Sequence, residues 1–386
     1  MTDTFINTPD ALKALCSELK GSPWLAVDTE FIREKTYYPR LCLIQVGNSE
    51  RLACVDPLAL NDLAPLLELL YNPDIVKVFH SADQDLEIFF HLRGELPKPI
   101  FDTQPAAALL GHGEQIGYAN LVKALLNHNL DKSQTRTDWS KRPLSSRQID
   151  YALDDVRYLR TLYETLRDEL ANRGRLGWLD NDLARLTSPD TYRIDQDNVW
   201  QRIKGSNRLK GVRLNVLKHL ARWREQRAIQ TDRPRKWVLS DNVLLDLATQ
   251  LPKTQEQLQS IRSLDKQTAS SVGARLLELI DTARNEPEAL WPQIHIPPKP
   301  TSAEEAKADL IMSLLHKQAA LHDLSPGLFA TRGDIQRLVR GKRDIPLLSG
   351  WRRELAGEMA LEILEGRKVL ACEGDEVIIK PNSDLS

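Results

Sequence analysis

Asp28 and Glu30 stand where the short apolar run Trp24-Leu-Ala-Val27 ends, and in an extended chain they share one face, with Thr29 on the other. A carboxylate beside an apolar core loses its solvation, at a cost on the order of several kcal/mol for an isolated ion. Two on one face also repel each other at neutral pH unless a cation neutralises them. A lone Asp-x-Glu usually marks a strand end pointing to water, but three further positions change that reading. Asp85 lies just inside a helical pattern that follows the apolar run 75–79, beside Asp83 in His80-Ser-Ala-Asp-Gln-Asp85. Tyr151 and Asp155 stand four apart in another helical pattern, on one face and a turn apart. Asp28, Glu30, Asp85 and Asp155 together make a hard-oxygen set suited to Mg²⁺ or Mn²⁺ and not to zinc. A phenol with an ordinary pKa of about 10 is a poor base. Tyr151 is therefore expected to orient a water molecule whose own pKa a metal lowers.

These residues need a scaffold, and the chain predicts one. Residues 24–28, 41–46, 52–55 and 75–79 are short, apolar runs bounded by Pro, Gly or Asn, and read as strands. Helical patterns open at Asn61-Asp62 and Ala82-Asp83, giving a mixed α/β sheet. After Asp102 the pattern is almost wholly helical, over 104–110, 118–126 and 145–170, and the Pro/Asp-containing stretch 188–197 reads as a linker. From about Leu209 onward only helices are expected. An echo at an offset of 92 pairs Ala228-Ile229, Pro234 and Trp237 with Ala320-Leu321, Pro326 and Phe329, as in two copies of one small helical domain. Pro292, Pro297, Pro298 and Pro300 would space the copies apart. Trp223 and Trp237 fall at apolar positions and read as core.

The chain has 386 residues and a formal charge of −2, which seems to exclude a polyanion partner. Division reverses that impression. Residues 1–200 carry 22 Lys+Arg against 30 Asp+Glu, a net of −8, and the remainder carries 30 against 24, a net of +6. Between Arg202 and Lys236, 12 basic residues face only Glu225 and Asp232, the electrostatic footprint of a phosphate-backbone contact. Cys16, Cys42, Cys54 and Cys372 form no CxxC pair and read as core thiols of a reducing compartment. Neither a basic n-region with an apolar run nor a span of 18 apolar residues is present, so a cytoplasmic protein without membrane contact is expected.

Val27-Asp-Thr-Glu-Phe31, the Asp85 segment and Tyr151-x-x-x-Asp155 resemble the three exonuclease motifs of the DEDD superfamily, in its tyrosine-containing branch. The flanking segment 28–46 and Phe101-Asp-Thr103 extend the likeness, and residues 208–290 and, more divergently, 300–376 resemble HRDC domains. The resemblance implies a ribonuclease H-like mixed sheet flanked by helices over residues 1–200, followed by two all-α HRDC domains. It also implies 3′-5′ hydrolysis of nucleic acid with release of 5′-mononucleotides, using two divalent ions. Asp28 would bridge both ions, Glu30 and Asp155 would hold the one that activates water, Asp85 would help hold the other, and Tyr151 with Glu30 would aim the water. Within that branch the likeness is to members acting on RNA, so the expected partner is RNA with a 3′ end, especially precursor tRNA, engaged by a monomer.

Candidate nucleic-acid contacts are Phe31, Arg33, Lys35, Arg40 and His80 near the motifs, and Lys218, Arg222, Arg224 and Arg227 in the basic segment. Core packing competes with base stacking for Phe31, a buried hydrogen bond competes with contact to a leaving oxygen for His80, and a solvated face competes for the cations. Asp102 reads as the cap of the following helix. A DNA-directed exonuclease and a non-catalytic adaptor are the rival functions. All five motif positions are intact, against the adaptor, and the 2′-hydroxyl is read by contacts the motifs do not contain. A helicase is excluded, since no G-x-x-x-x-G-K-[ST] sequence occurs.

Overall fold

The computed structural model describes residues 4–131, 134, 137–294 and 298–382. Residues 295–297, inside the proline-rich spacer, lie outside the described residues. The chain divides into two compact units. The first comprises the described parts of Met1–Glu30, Leu41–Thr191 and Pro298–Ser386, and the second those of Phe31–Arg40 and Tyr192–Pro297.

The first unit is built on strands β1 (Phe5–Ile6), β2 (Trp24–Ile32), β3 (Arg40–Gly47), β4 (Leu52–Val55), β5 (Val76–Phe79) and β6 (Ile100–Asp102), in the order β1-β4-β3-β2-β5-β6. The sheet is mixed: β3 runs antiparallel to β4, whereas β2, β5 and β6 are parallel neighbours. β2 extends four residues beyond its predicted end, so Asp28, Thr29 and Glu30 belong to the strand itself. Helices α1 (Pro9–Leu19), α2 (Ala64–Leu70), α3 (Asp83–Arg93), α4 (Thr103–Ala108), α5 (Tyr118–Leu126) and α6 (Ser146–Asn172) surround it. α6 starts at a capping box in which Ser145 and Gln148 satisfy each other's backbone amides. Its buried stripe Ala152, Val156, Leu159, Tyr163 and Leu166 recurs at three- and four-residue spacing. Tyr163 meets Trp24 at 5.3 Å and Phe101 at 5.0 Å between ring centroids, tying α6 to β2 and β6.

After the short helices α7 (Asp180–Leu186) and α8 (Pro189–Tyr192), the second unit begins. It packs α9 (Val212–Gln230), α10 (Arg235–Val238), α11 (Asp241–Gln250), α12 (Gln255–Gln259) and α13 (Lys266–Asn285) around Leu217, Leu220, Leu244, Leu247 and Leu276. The chain then supplies α14 (Ser302–Leu321), α15 (Arg332–Val339) and α16 (Gly350–Arg352), which continues through one π turn into α17 (Glu358–Leu364). These last helices share a core with the sheet's helices: Trp178 stacks on Trp351 at 4.7 Å, and the Arg175 guanidinium donates to the carbonyls of Leu109 and His322. At Gly111 (φ +91°) a Cβ would lie 2.7 Å from the Asp323 carbonyl oxygen, so only glycine allows that approach.

The all-helical expectation fails at the C-terminal end. β7 (Lys368–Glu373) and β8 (Glu376–Pro381) form an antiparallel hairpin joined by Gly374-Asp375. A two-residue Gly-Asp turn with φ +59° at the glycine, followed by the β-branched run Val377-Ile378-Ile379, favours this form. The expectation of four core thiols is also corrected, since Cys42 and Cys54 are buried while Cys16 is half-buried and Cys372 is exposed on the hairpin. No helix among the described residues is long and apolar enough to cross a membrane.

Candidate active site

Parallel pairing decides where the acids meet. Trp24 lies opposite Val76 and Ala26 opposite Val78, so β2 and β5 end on the same side, and the chain leaving β5 turns there into α3. Asp85 stands in the first turn of α3, a helix with no side-chain cap of its own. Asp102, at the end of neighbouring β6, substitutes for one. Its carboxylate accepts from the backbone amides of Ser81 (2.8 Å) and Ala82 (2.9 Å), and also from Gln104 (2.9 Å), capping α4 as expected. Asp102 thus positions Asp85. The Thr29 hydroxyl donates to Asp85 Oδ1 at 2.5 Å, a contact that alternation along β2 did not foretell.

α6 supplies Tyr151 and Asp155, and the loop before it is clamped. Arg142 donates to both carboxylate oxygens of buried Asp56, each at 2.7 Å, and to the carbonyls of Cys42 and Trp139. Trp139, held by this clamp, lies 6.2 Å from the Tyr151 ring. Asp56, Trp139 and Arg142 were invisible to motif reading because they act on Tyr151 through pairs distant in sequence.

The electrostatics identify one acidic centre. Burial is the largest influence on all four carboxyls, and it raises each of them. Glu30 is pushed up to about 8 by burial and by the charges of Asp155 and Asp85. Asp155 is raised to about 7 by burial, Asp154 and Asp85. Asp85 reaches about 7 through burial, although the Thr29 hydroxyl partly opposes the shift. Asp28 feels burial and then Asp155, Asp85 and Glu30, and is raised well above the usual range. No basic side chain figures among the main influences on any of the four. Clustered carboxylates, Asp85 buried and the other three half-buried, with no cation among their main influences fit a hard divalent cation by donor chemistry and by charge. Among the described residues, no three His, Cys, Asp or Glu side chains are gathered tightly enough to hold an ion as they stand.

The remaining candidates separate. His80 is corrected to a structural residue: Nδ1 meets Thr103 Oγ1 at 2.9 Å, Nε2 meets the Ile116 carbonyl at 3.1 Å, and burial lowers its pKa to about 4. Arg224 is also corrected. It is buried, donates to Asp241 at 2.6 Å and to the Leu239 carbonyl, and has no surface to offer a phosphate. Arg222 is exposed and paired with Asp197, Arg227 is exposed, and Lys218 is half-buried. In the second unit's segment 31–40, Phe31 is half-buried while Arg33, Lys35 and Arg40 are exposed. Trp223 packs partly buried against the second core, whereas Trp237, expected there as well, is 60% exposed.

A mixed sheet flanked by helices, with Asp28, Glu30, Asp85 and Asp155 within electrostatic reach of one another, matches the class of DEDD-type nucleases. Comparison with known proteins narrows this class. The 3′-5′ exonuclease family profile matches residues 4–171, and the HRDC domain profile matches residues 213–280. Ribonuclease D of Granulibacter bethesdensis is 40% identical over 383 residues, covering 97% of this chain and 95% of that protein. Ribonuclease D of Zymomonas mobilis is 42% identical, covering 95% of each. The crystal structure of Escherichia coli RNase D, described as an exoribonuclease involved in structured RNA processing, superposes with a TM-score of 0.85 at 33% identity, covering 95% of this chain and 99% of that one. Identity at this level along almost the whole length means that the chain belongs to the ribonuclease D family, and it is a 3′-5′ exoribonuclease.

Proposed function

We propose that this exoribonuclease trims the 3′ ends of precursor tRNA by a two-metal mechanism with Mg²⁺ or Mn²⁺, releasing 5′-mononucleotides. The observation that carries the reading is the acidic centre, where burial and neighbouring carboxylates push all four carboxyls up with no protein cation among their main influences. Bound divalent ions would supply the positive charge that offsets both the carboxylates and the scissile phosphate and would make water acidic enough to attack. Asp28, Glu30, Asp85 and Asp155 would hold them. Asp102 and Thr29 fix Asp85 from two sides. Tyr151, steadied by Trp139, orients the attacking water together with Glu30, an alignment worth more than proton transfer for so weak a base.

We further propose that residues 208–290 and 300–376 are two HRDC modules following a nuclease domain over 1–200, the second divergent. Support comes from the order of elements. A long helix, a proline, a short turn and a capped helix follow one another in α9 to α11 and again in α14 to α15. Lys218, Arg222 and Arg227, with Phe31, Arg33, Lys35 and Arg40, would grip RNA, and the protein would act as a monomer. The test is incubation with a tRNA carrying extra 3′ nucleotides, with Mg²⁺ and then with EDTA. Mononucleotides should appear only with the metal, and not in Asp155→Asn. Release that persists in EDTA would refute the metal site, and intact tRNA beside degraded unstructured RNA would refute the tRNA assignment.

A further inference from the structure

We infer that the second unit holds a nucleotide of single-stranded RNA in a cavity walled by segment 31–40 and by α9 and α10, with Trp237 as the stacking platform. The inference rests on the exoribonuclease reading above and adds to it a binding subsite. The cavity has a volume of about 510 Å³ and is lined from one side by Arg33, Glu34, Thr36 and Tyr37 and from the other by Arg202, Lys236 and Trp237. Space of this order receives a base and its sugar.

The charge that faces a ligand there is positive once internal pairs are removed. Arg224 is neutralised by Asp241 at 2.6 Å, and Arg235 by Glu225 through two hydrogen bonds of 2.6 Å. Burial alone would raise the Glu225 carboxyl, but hydrogen bonds from Arg235 and Tyr37 hold it below the usual range, so this pair is ionised and self-cancelling. Arg202 and Lys236, both exposed, then outnumber the exposed Glu34. Two exposed cations on one wall of a roomy cleft suit a phosphodiester backbone, not a basic or apolar side chain.

Trp237 gives the site its second element. Among the described residues it is the one aromatic among the exposed large apolar side chains, at 60%. Its indole stands at the cavity with Lys236 before it in the chain, the combination by which base stacking and phosphate contact hold a single strand without reading its sequence. The walls are already set. Asp232 accepts from the amides of Tyr37 (3.0 Å) and Tyr38 (3.2 Å), the Tyr37 hydroxyl donates to Glu225, and the Arg235 guanidinium lies 4.7 Å above the Tyr37 ring. Segment 31–40 is thereby fixed to α9 and the start of α10, and little order remains to be gained on binding.

The experiment is fluorescence anisotropy of the full-length protein with a labelled oligoadenylate in EDTA, where nothing is cleaved. Trp237→Ala should weaken binding about tenfold, Trp237→Phe should recover most of the loss, and both should melt at the wild-type temperature because the side chain is exposed. Arg202→Ala with Lys236→Ala should weaken binding and flatten its dependence on salt. Wild-type affinity and salt slope in Trp237→Ala and in the double variant would overturn the subsite while leaving the nuclease reading intact. Failure of the wild-type protein to degrade RNA in Mg²⁺ would instead remove the reading on which the subsite rests.

Discussion

Two partly or wholly buried charge clusters, one in each unit, meet their desolvation cost in opposite ways. Around Glu225 in the second unit every charge has a partner: Arg235 and Tyr37 bond the carboxylate, and neighbouring Arg224 is closed by Asp241. In the first unit Asp85 is buried and Asp28, Glu30 and Asp155 half-buried, and each is pushed toward its protonated form. The paired cluster fastens a loop to a helix. The unpaired cluster stores repulsion that a divalent ion relieves, and that is what a metal-dependent nuclease requires. Burial alone therefore does not mark function; burial without a counter-charge does.

Removing one charge from each cluster should break this contrast most sharply. Asp28→Asn should reduce exonuclease rate on the order of a thousandfold, yet raise the stability of the metal-free protein by roughly 1–3 kcal/mol because repulsion falls. Glu225→Ala should do the reverse. Chemical denaturation should show a loss of about 3 kcal/mol as Arg235 and Arg224 lose compensation, with the saturating rate largely kept. Loss of stability in both variants would erase the distinction. Next in size, Tyr151→Phe should lower kcat about a hundredfold with RNA binding unchanged; an unaltered kcat would leave the phenol no part in aligning water.

A third effect is set by pH. In the metal-free fold Glu30 keeps its proton to about 8, and Asp85 and Asp155 keep theirs to about 7. The unfolded chain releases them near the ordinary carboxylate value of about 4. The folded form therefore binds more protons, and stability present at low pH is lost as pH rises through the folded values. Melting in EDTA should drop between mildly acidic and alkaline pH, and Mg²⁺ should restore it most at the alkaline end. A flat profile would mean that the four carboxyls are not mutually destabilised. Smallest of all, reversing exposed Arg222 and Arg227 should flatten the salt dependence of RNA binding by a slope of about 1 or less; an unchanged slope would return that face to solvent.

The candidate acids on β2 and α6 were legible by their position in the local pattern. Asp28 and Glu30 interrupt an apolar strand, and Tyr151 and Asp155 share a helix face by spacing. The sheet was legible for the strands with four or more apolar residues, and not for β1 or β6, which have two and three residues. Residues that set the acids in place were not legible, since Asp102, Thr29 and the Asp56–Arg142 clamp act across 20 or more positions. Arg224 and Trp237 were misread for one reason. On α9 charged and apolar residues alternate too closely to show a clean face, so a buried arginine looked exposed, and beyond it an exposed tryptophan looked buried. Hairpin β7–β8 was hidden by a reading that carried helical periodicity through to the end.

That the acidic cluster is a metal centre is tested most directly by calorimetric titration of Mn²⁺ into the metal-free protein at mildly acidic pH, where the carboxyls still carry their protons, for the wild type and for Asp28→Asn and Asp85→Asn. The account predicts two bound ions with release of protons in the wild type, and weakened binding with less proton release in both variants. Binding of equal strength and stoichiometry in all three proteins would contradict it.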